Sequence, residues 1–336
     1  MNDEINVIIS FDTEFSINGA FANPQKCKPS SHEIFEPNSS GSEGLQDVLN
    51  ILRTHFAQAT FFVEALNTHY FGSEKMGRYV TQILDHGQDV QLHTHPCWLA
   101  FKDPNWQNSV KGKNIVDSFL DMSVAEIVEI LKPATDILSQ WTKQTPSAFR
   151  AGNLHACTAL YQALEQLDIK LASNIGIPIF KPKEPELQIE NTPSCISNTV
   201  EIPITTYQSM GHRHKALTIT GTSFKETKEV LTKCKSLGIR HVIILTHVHE
   251  FIKINRDESK IKANKVNLNR LNSLCEFVND NKRFKFNTFG QLASVSTEQL
   301  VNRQSEMLTE SAIHTSRASG MWTIIENQLN DRVWYY

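Results

Sequence analysis

Short apolar runs alternate with amphipathic stretches along this chain. Runs at Ile5–Phe11, Ala59–Val63, Val90–His95, Ala148–Arg150, Ile169–Ser173, Val200–Thr205, Val242–Leu245 and Phe284–Phe289 read as strands. Between them, Leu45–His55 places apolar residues at 45, 48, 49 and 52, the spacing of a helix face. Helical spacing also covers Met76–His86, Val124–Trp141, Thr158–Leu167, Lys225–Leu237 and Leu268–Val278. Gly87 follows the second of these helices and Gly238 the fifth, where a left-handed cap is expected. Strands and helices in alternation predict a βα-repeating architecture with a mainly parallel sheet.

Three stretches escape this pattern. Residues 16–44 are rich in Asn, Ser, Pro and Gly and leave directly from Asp12 and Glu14, so they are expected to form a loop that covers substrate. Residues 96–123 carry Trp98 and Trp106 without periodicity, and residues 178–197 hold four prolines and read as a loop. From about Ser296 the chain turns polar, ending in Met321-Trp322 and Val333-Trp334-Tyr335-Tyr336, aromatics that can dock on the main body or meet a partner. One large unit over 1–295 with an appendage over 296–336 is the simplest division.

Composition narrows the function. A hydrophobic fraction of 40% supports a sizeable core, and a net charge of −3 without charge runs gives no footprint for nucleic acid or an anionic surface. No segment reaches the ~18 apolar residues of a membrane span, and residues 1–9 lack the pattern of a signal peptide, so a cytoplasmic location is expected. Cys27, Cys97, Cys157, Cys195, Cys234 and Cys275 form no CxxC pair and are expected to be free thiols there.

The chemistry gathers at strand ends. Asp12/Glu14, His93/His95 and His247/His249 each follow an apolar run at a spacing of two, which on an extended strand puts both side chains on one face. Carboxylates and imidazoles brought to one end of a sheet suit metal-assisted hydrolysis: histidine nitrogens bind a zinc-class ion, and a carboxylate takes a proton from water. Plainer readings stand beside these. Asp12 and Glu14 can be solvated loop residues, the histidines surface groups, and His249 a packed core residue. Arg150, in an extended setting before Gly152, is either an ordinary surface arginine or a buried guanidinium that holds Asp12. Trp98 is either part core and part platform for a sugar ring, or, beside Pro96, a purely structural indole.

These segments together resemble the polysaccharide deacetylase family, also called the NodB-homology family or carbohydrate esterase family four. The similarity runs in order through Ser10-Phe11-Asp12-Thr13-Glu14, Ala59-Thr60-Phe61-Phe62-Val63, residues 87–95 ending in His93-Thr94-His95, Phe149-Arg150-Ala151-Gly152, Glu201-Ile202-Pro203 and Leu245-Thr246-His247. It implies a distorted (β/α) barrel of about seven parallel strands, a divalent metal, most often zinc, and removal of an acetyl group from an N- or O-acetylated sugar. By position it implies Asp12 as base, Glu14 and His93 as metal ligands, Arg150 as tuner of the base, His247 as acid and Leu245 as a wall of the acetyl pocket. Two departures remain open. The second metal histidine often lies four residues after the first, where this chain has Cys97, so His95 is the preferred third ligand and the Cys97 thiolate the alternative. Glu14 stands where an aspartate is usual, and the roles of Asp12 and Glu14 can be exchanged. The rival functions are hydrolysis of a non-sugar C–N bond at the same centre, or a catalytically silent carbohydrate-binding module.

Overall fold

Strand β1 (Ile5–Thr13) is the spine of the sheet, because its unbroken apolar run can be buried on both faces. The other strands are β2 (Ala59–Glu64), β3 (Asp89–Thr94), β4 (Ala148–Ala151), β5 (Leu171–Ala172), β6 (Ser194–Ile196), β7 (Thr199–Glu201), β8 (Thr206–Ser209), β9 (Arg213–Ala216), β10 (His241–His247), β11 (Ile252–Ile254), β12 (Ile261–Ala263) and β13 (Phe284–Phe286). The main helices are α1 (Gly44–Thr54), α2 (Ser73–Asp85), α3 (Val124–Thr142), α4 (Thr158–Gln166), α5 (Phe224–Ser236), α6 (Lys265–Asn279), α7 (Thr297–Ser305) and α8 (Arg317–Val333). This computed structural model describes residues 4–31, 44–254, 261–305 and 312–333. Part of the expected covering loop (32–43) and the terminal aromatics at 334–336 lie outside the described residues.

The principal sheet has nine strands in the order β10-β1-β2-β3-β4-β5-β7-β6, with β13 beside the first residues of β1. Every strand in it except β6 runs parallel, eight in all, which bears out the expected barrel of about seven. The outer edge of β10 meets no regular strand. Instead Thr205 donates its backbone N–H to the Ile243 carbonyl at 3.1 Å, and Leu245 donates to Leu217 at 3.0 Å. Irregular backbone thus bridges β7 and β10, which distorts the barrel.

Alternation along the strands separates two cores. Val7, Ile9, Phe11, Phe61, Val63 and Leu92 face outward against Val48, Leu52, Val80, Ile83, Ile127 and Leu131 of the helices. Ile8, Phe62, Ala148, Leu171, Val200, Ile243 and Leu245 face the barrel lumen. Burying each large aliphatic or aromatic side chain contributes about 1.5–3 kcal/mol relative to exposure. The lumen therefore forms a packed floor beneath the strand ends.

Local chemistry sets the boundaries. Ser123 and Glu126 form a reciprocal capping box at the start of α3, which stops at Lys143 in the left-handed region with φ 61°. The strand expected over 200–205 ends at Glu201, because Pro203 has no N–H for a ladder. Phe284–Phe289 divides into β13 and a short helix capped by Thr288. The hairpins β8–β9 and β11–β12 had no counterpart in the hydrophobic pattern, since their residues are mixed and only partly buried.

Helix α8 docks through polar contacts. Thr323 donates to Glu226 Oε2 at 2.7 Å, and Arg270 Nε donates to Glu326 Oε2 at 2.7 Å. Its outer side leaves Trp322 50% and Leu329 55% exposed. Among the described residues no helix is long and apolar enough to cross a membrane.

Candidate active site

Sheet register brings the polar residues together. Asp12 on β1 is the direct partner of His247 on β10, Glu64 on β2 the partner of His93 on β3, and His93 in turn the partner of Arg150 on β4. Partners in a parallel ladder share a face, and this one is the lumen face at the carboxyl ends of the strands, where barrel folds build their sites. The second member of each pair falls beyond its strand: β1 stops at Thr13, β3 at Thr94 and β10 at His247. His95 stays extended with φ −109° and ψ 112°, so it still turns back to the first members. His249 lies instead in the one-turn helix Val248–Phe251, which corrects the expectation that both histidines project from one strand.

Asp12 and Arg150 form one half of the site. Arg150 is fully buried and donates from Nη1 to Asp12 Oδ1 at 2.7 Å. Its remaining donors reach the Ser173 carbonyl at 3.0 Å, Ser10 Oγ at 2.9 Å and Ser173 Oγ at 3.0 Å, and its guanidinium lies 4.3 Å from the centre of the Phe62 ring. The inward reading of Arg150 is therefore the one the geometry realises. Asp12 Oδ2 lies 3.9 Å from His247 Nε2, and His247 Nδ1 lies 3.3 Å from Glu250 Oε1. Burial works against a charged His247, but the Glu250 hydrogen bond and the Asp12, Glu250 and Glu14 charges outweigh it and raise the imidazole to about 9. Glu250 is held at about 2 against burial by the same contact.

Glu14, His93 and His95 form the other half. Glu14 Oε2 sits 3.0 Å from His95 Nε2 and 3.7 Å from His93 Nε2. His93 Nδ1 pairs with the Arg150 carbonyl at 2.8 Å, leaving Nε2 toward Glu14, buried and without a hydrogen-bond partner. The donor atoms of these three residues lie within 4.8 Å of one another, a set that could hold a cation. Burial would lift the Glu14 carboxyl, yet His95 and His93 keep it well below the ordinary carboxylate range. Cys97 is near but buried, and burial with the Asp117 charge drives its thiol far above the usual range, which favours His95 as the third donor.

Several contributors escaped the sequence reading. Glu64 is fully buried and accepts from the backbone N–H of Leu66 and of His95, tying the β2 end to the residue after β3; burial pushes its carboxyl up to about 8. It directly follows Ala59-Thr60-Phe61-Phe62-Val63 and shares the face of Phe62, a signal that could have found it. Asp117 comes from the aperiodic stretch, where nothing in the pattern marked it, and its Oδ2 lies 2.6 Å from His95 Nδ1. Gly152 makes room for that ring: a Cβ there would stand 2.4 Å from His95 Nδ1. Glu201, already singled out within Glu201-Ile202-Pro203, accepts from the Asn174 and Ile175 N–H groups and from Tyr161 Oη, which makes it a stitch between β7 and its neighbours.

A cavity of about 280 Å³ opens over the second half, lined by Glu14, Phe15, Ser16, Ile17, His95, Trp98, Asp117 and His249 among others. Ser16 and Ile17 bring the start of the expected covering loop to its wall. Trp98 borders the cavity but is only 1% exposed, packed against Phe71 and Phe101, so its ring faces are core rather than an open sugar platform. Leu245, 5% exposed, lies in the lumen two residues before His247 on the same strand face.

Comparison with known proteins agrees with this architecture. Residues 34–172 match the family model described as Polysaccharide deacetylase. A Mycobacterium smegmatis protein assigned to the polysaccharide deacetylases superposes with a TM-score of 0.57 at 13% identity, covering 93% of this chain and 95% of that one. A Bacillus anthracis pseudoenzyme of carbohydrate esterase family four gives 0.43 at 11% identity over 88% of this chain and 67% of its own. A family 4 carbohydrate esterase from Streptomyces lividans, solved with acetate, gives 0.40 at 11% identity over 83% of this chain and 90% of its own. No curated protein matches the sequence.

Proposed function

From the match of residues 34–172 to the polysaccharide deacetylase model and the site geometry, we propose that this chain is a member of that family and a metal-dependent hydrolase that removes the acetyl group of an N-acetylated sugar. The observation that carries the metal dependence is the buried, unpartnered Nε2 of His93 facing Glu14 and His95. A buried nitrogen left without a partner costs stability in the protein alone and is satisfied when it ligates an ion. Two imidazoles and one carboxylate suit zinc among the divalent ions.

Glu14, His93 and His95 would hold the cation, which would supply Lewis-acid polarisation of the acetyl carbonyl. Asp12, held by Arg150 through Oδ1, keeps Oδ2 available to take a proton from the attacking water. Arg150 orients this base. His247, protonated at neutral pH, delivers the Nε2 proton to the sugar nitrogen as the C–N bond breaks, and Glu250 on Nδ1 fixes its orientation. Water's oxygen becomes part of acetate, and the sugar leaves as an amine. Leu245 supplies an apolar wall for the acetyl methyl.

The test is acetate release from N-acetylglucosamine oligosaccharides by zinc-loaded protein, alongside metal content. Release that requires stoichiometric zinc is the expected result. A zinc-loaded protein that releases no acetate from any acetylated glycan, yet hydrolyses a non-sugar amide, would overturn the sugar assignment.

A further inference from the structure

The two histidines of the cation half are held in different ways, and the difference concerns a residue that lies on none of the strands. His93 presents Nε2 because its Nδ1 is occupied by the Arg150 carbonyl at 2.8 Å, a backbone group of the barrel wall. His95 has no such neighbour on a strand. Its Nδ1 lies 2.6 Å from Asp117 Oδ2, while Nε2 lies 3.0 Å from Glu14. The geometry points to Asp117 as the positioning residue for His95: it accepts the Nδ1 hydrogen, fixes the ring so that Nε2 is the donor atom, and raises its basicity toward a cation. This inference rests on the metal-dependent reading above.

The carboxylate is itself built in. Asp117 Oδ1 accepts from the Cys97 backbone N–H at 3.3 Å, and Oδ2 also accepts from Asn153 Nδ2 at 2.8 Å. Asn153 adopts φ 57°, an uncommon conformation that directs its amide from the turn after β4. Neighbouring Gly152 lets the His95 ring lie against that turn, where any Cβ would collide. Three segments far apart in sequence thus converge on one imidazole edge. The same arrangement explains Cys97: it contributes its backbone N–H to Asp117, and its thiol is not needed as a ligand.

The experiment compares zinc affinity by chelator competition in wild type, Asp117→Asn, Asp117→Ala and Cys97→Ala, with the cobalt-substituted absorption spectrum as a second readout. Asp117→Ala is expected to weaken zinc binding about 10–100-fold and to shift the cobalt bands, with a smaller loss for Asp117→Asn. Cys97→Ala should leave both near wild type. Wild-type affinity and spectrum in Asp117→Ala would overturn the assignment. Should that variant fail to fold, cadmium-loaded wild type decides by nitrogen NMR: coupling of the metal to Nε2 of His95 with a protonated Nδ1 supports the role, and coupling through Nδ1 overturns it. A wild type that takes up no zinc ends both this inference and the metal-dependent reading. Zinc uptake that depends on Asp117 without acetate release sinks only the deacetylase reading.

Discussion

The two halves of the site differ in how completely the protein satisfies them. Around Asp12, every nitrogen of the Arg150 guanidinium has a partner, and His247 is shared between Glu250 and Asp12. Around Glu14, a buried imidazole nitrogen has none. A low-dielectric interior strengthens paired polar groups and penalises unpaired ones, so the first half is finished as folded and the second is left with an unmet polar nitrogen. On the function proposed above, proton transfer would fall to the complete half and cation binding to the incomplete one. Mutations that separate turnover from metal content test that division.

The largest effect is expected on the complete half. Asp12→Asn should lower turnover by about 10²–10⁴-fold while zinc content stays stoichiometric, measured by metal analysis and acetate release on the same preparation. Full activity in this variant would remove Asp12 as the base and favour an exchange of roles with Glu14. Asp12→Ala should also destabilise the fold by about 3–5 kcal/mol, because it strands the buried Arg150 charge. Chemical denaturation reads that cost.

Next comes His93→Ala, which should abolish stoichiometric zinc and, with it, activity, while the metal-free melting temperature falls only modestly, since loss of the unpartnered Nε2 offsets part of the lost Nδ1 contact to the Arg150 carbonyl. A melting temperature that falls by the amount of a large cavity would instead mark His93 as a packing residue.

Gly152→Ala follows in size. Its Cβ, 2.4 Å from His95 Nδ1, has no room unless the ring or the turn moves. The expected cost is about 1–3 kcal/mol of stability, with weakened zinc binding and little change in the orientation of His247. Unchanged zinc affinity would show that the His95 ring has space the geometry denies it.

The sequence made the complete half more legible than the incomplete one, for a physical reason. Asp12, Arg150 and His247 sit on strands whose apolar runs declare them, and parallel register then places Asp12 beside His247. His93 shares that advantage. His95 was identified as a donor, but what holds it was invisible, because Asp117 lies in an irregular stretch where neither period nor composition sets direction. Trp98 shows the converse: an aromatic beside the site looked available for sugar stacking, whereas the Phe71 and Phe101 rings enclose it. The barrel was legible from alternating runs. Its irregular closure at β10, made by Thr205 and residues 217–219, was not, since those contacts are backbone hydrogen bonds with no side-chain signature.

The smallest expected effect sharpens the comparison most finely, because it changes one charge without emptying the site. The Glu250 carboxylate accepts from Thr246 Oγ1 and the His247 backbone N–H and lies 3.3 Å from His247 Nδ1, apart from Glu14, His93 and His95, so its loss should leave zinc content unchanged. His247 stands at about 9, above its ordinary 6.5, so it is protonated through neutral pH and loses its proton as pH climbs past 9. A raised histidine stabilises the fold fully below 6.5, and that contribution fades as pH rises from 6.5 through about 9. If His247 is the acid, kcat/KM of wild type should fall on the alkaline side near that upper value. Glu250→Gln removes the largest favourable contact of the imidazolium and should draw this limb down toward 6.5. Activity would then drop about tenfold one pH unit above the new midpoint and approach wild type at pH values well below it. A limb that does not move with Glu250→Gln, in protein that still holds zinc, would mean that the proton reaching the sugar nitrogen comes from another group, with neighbouring His249 the next to mutate.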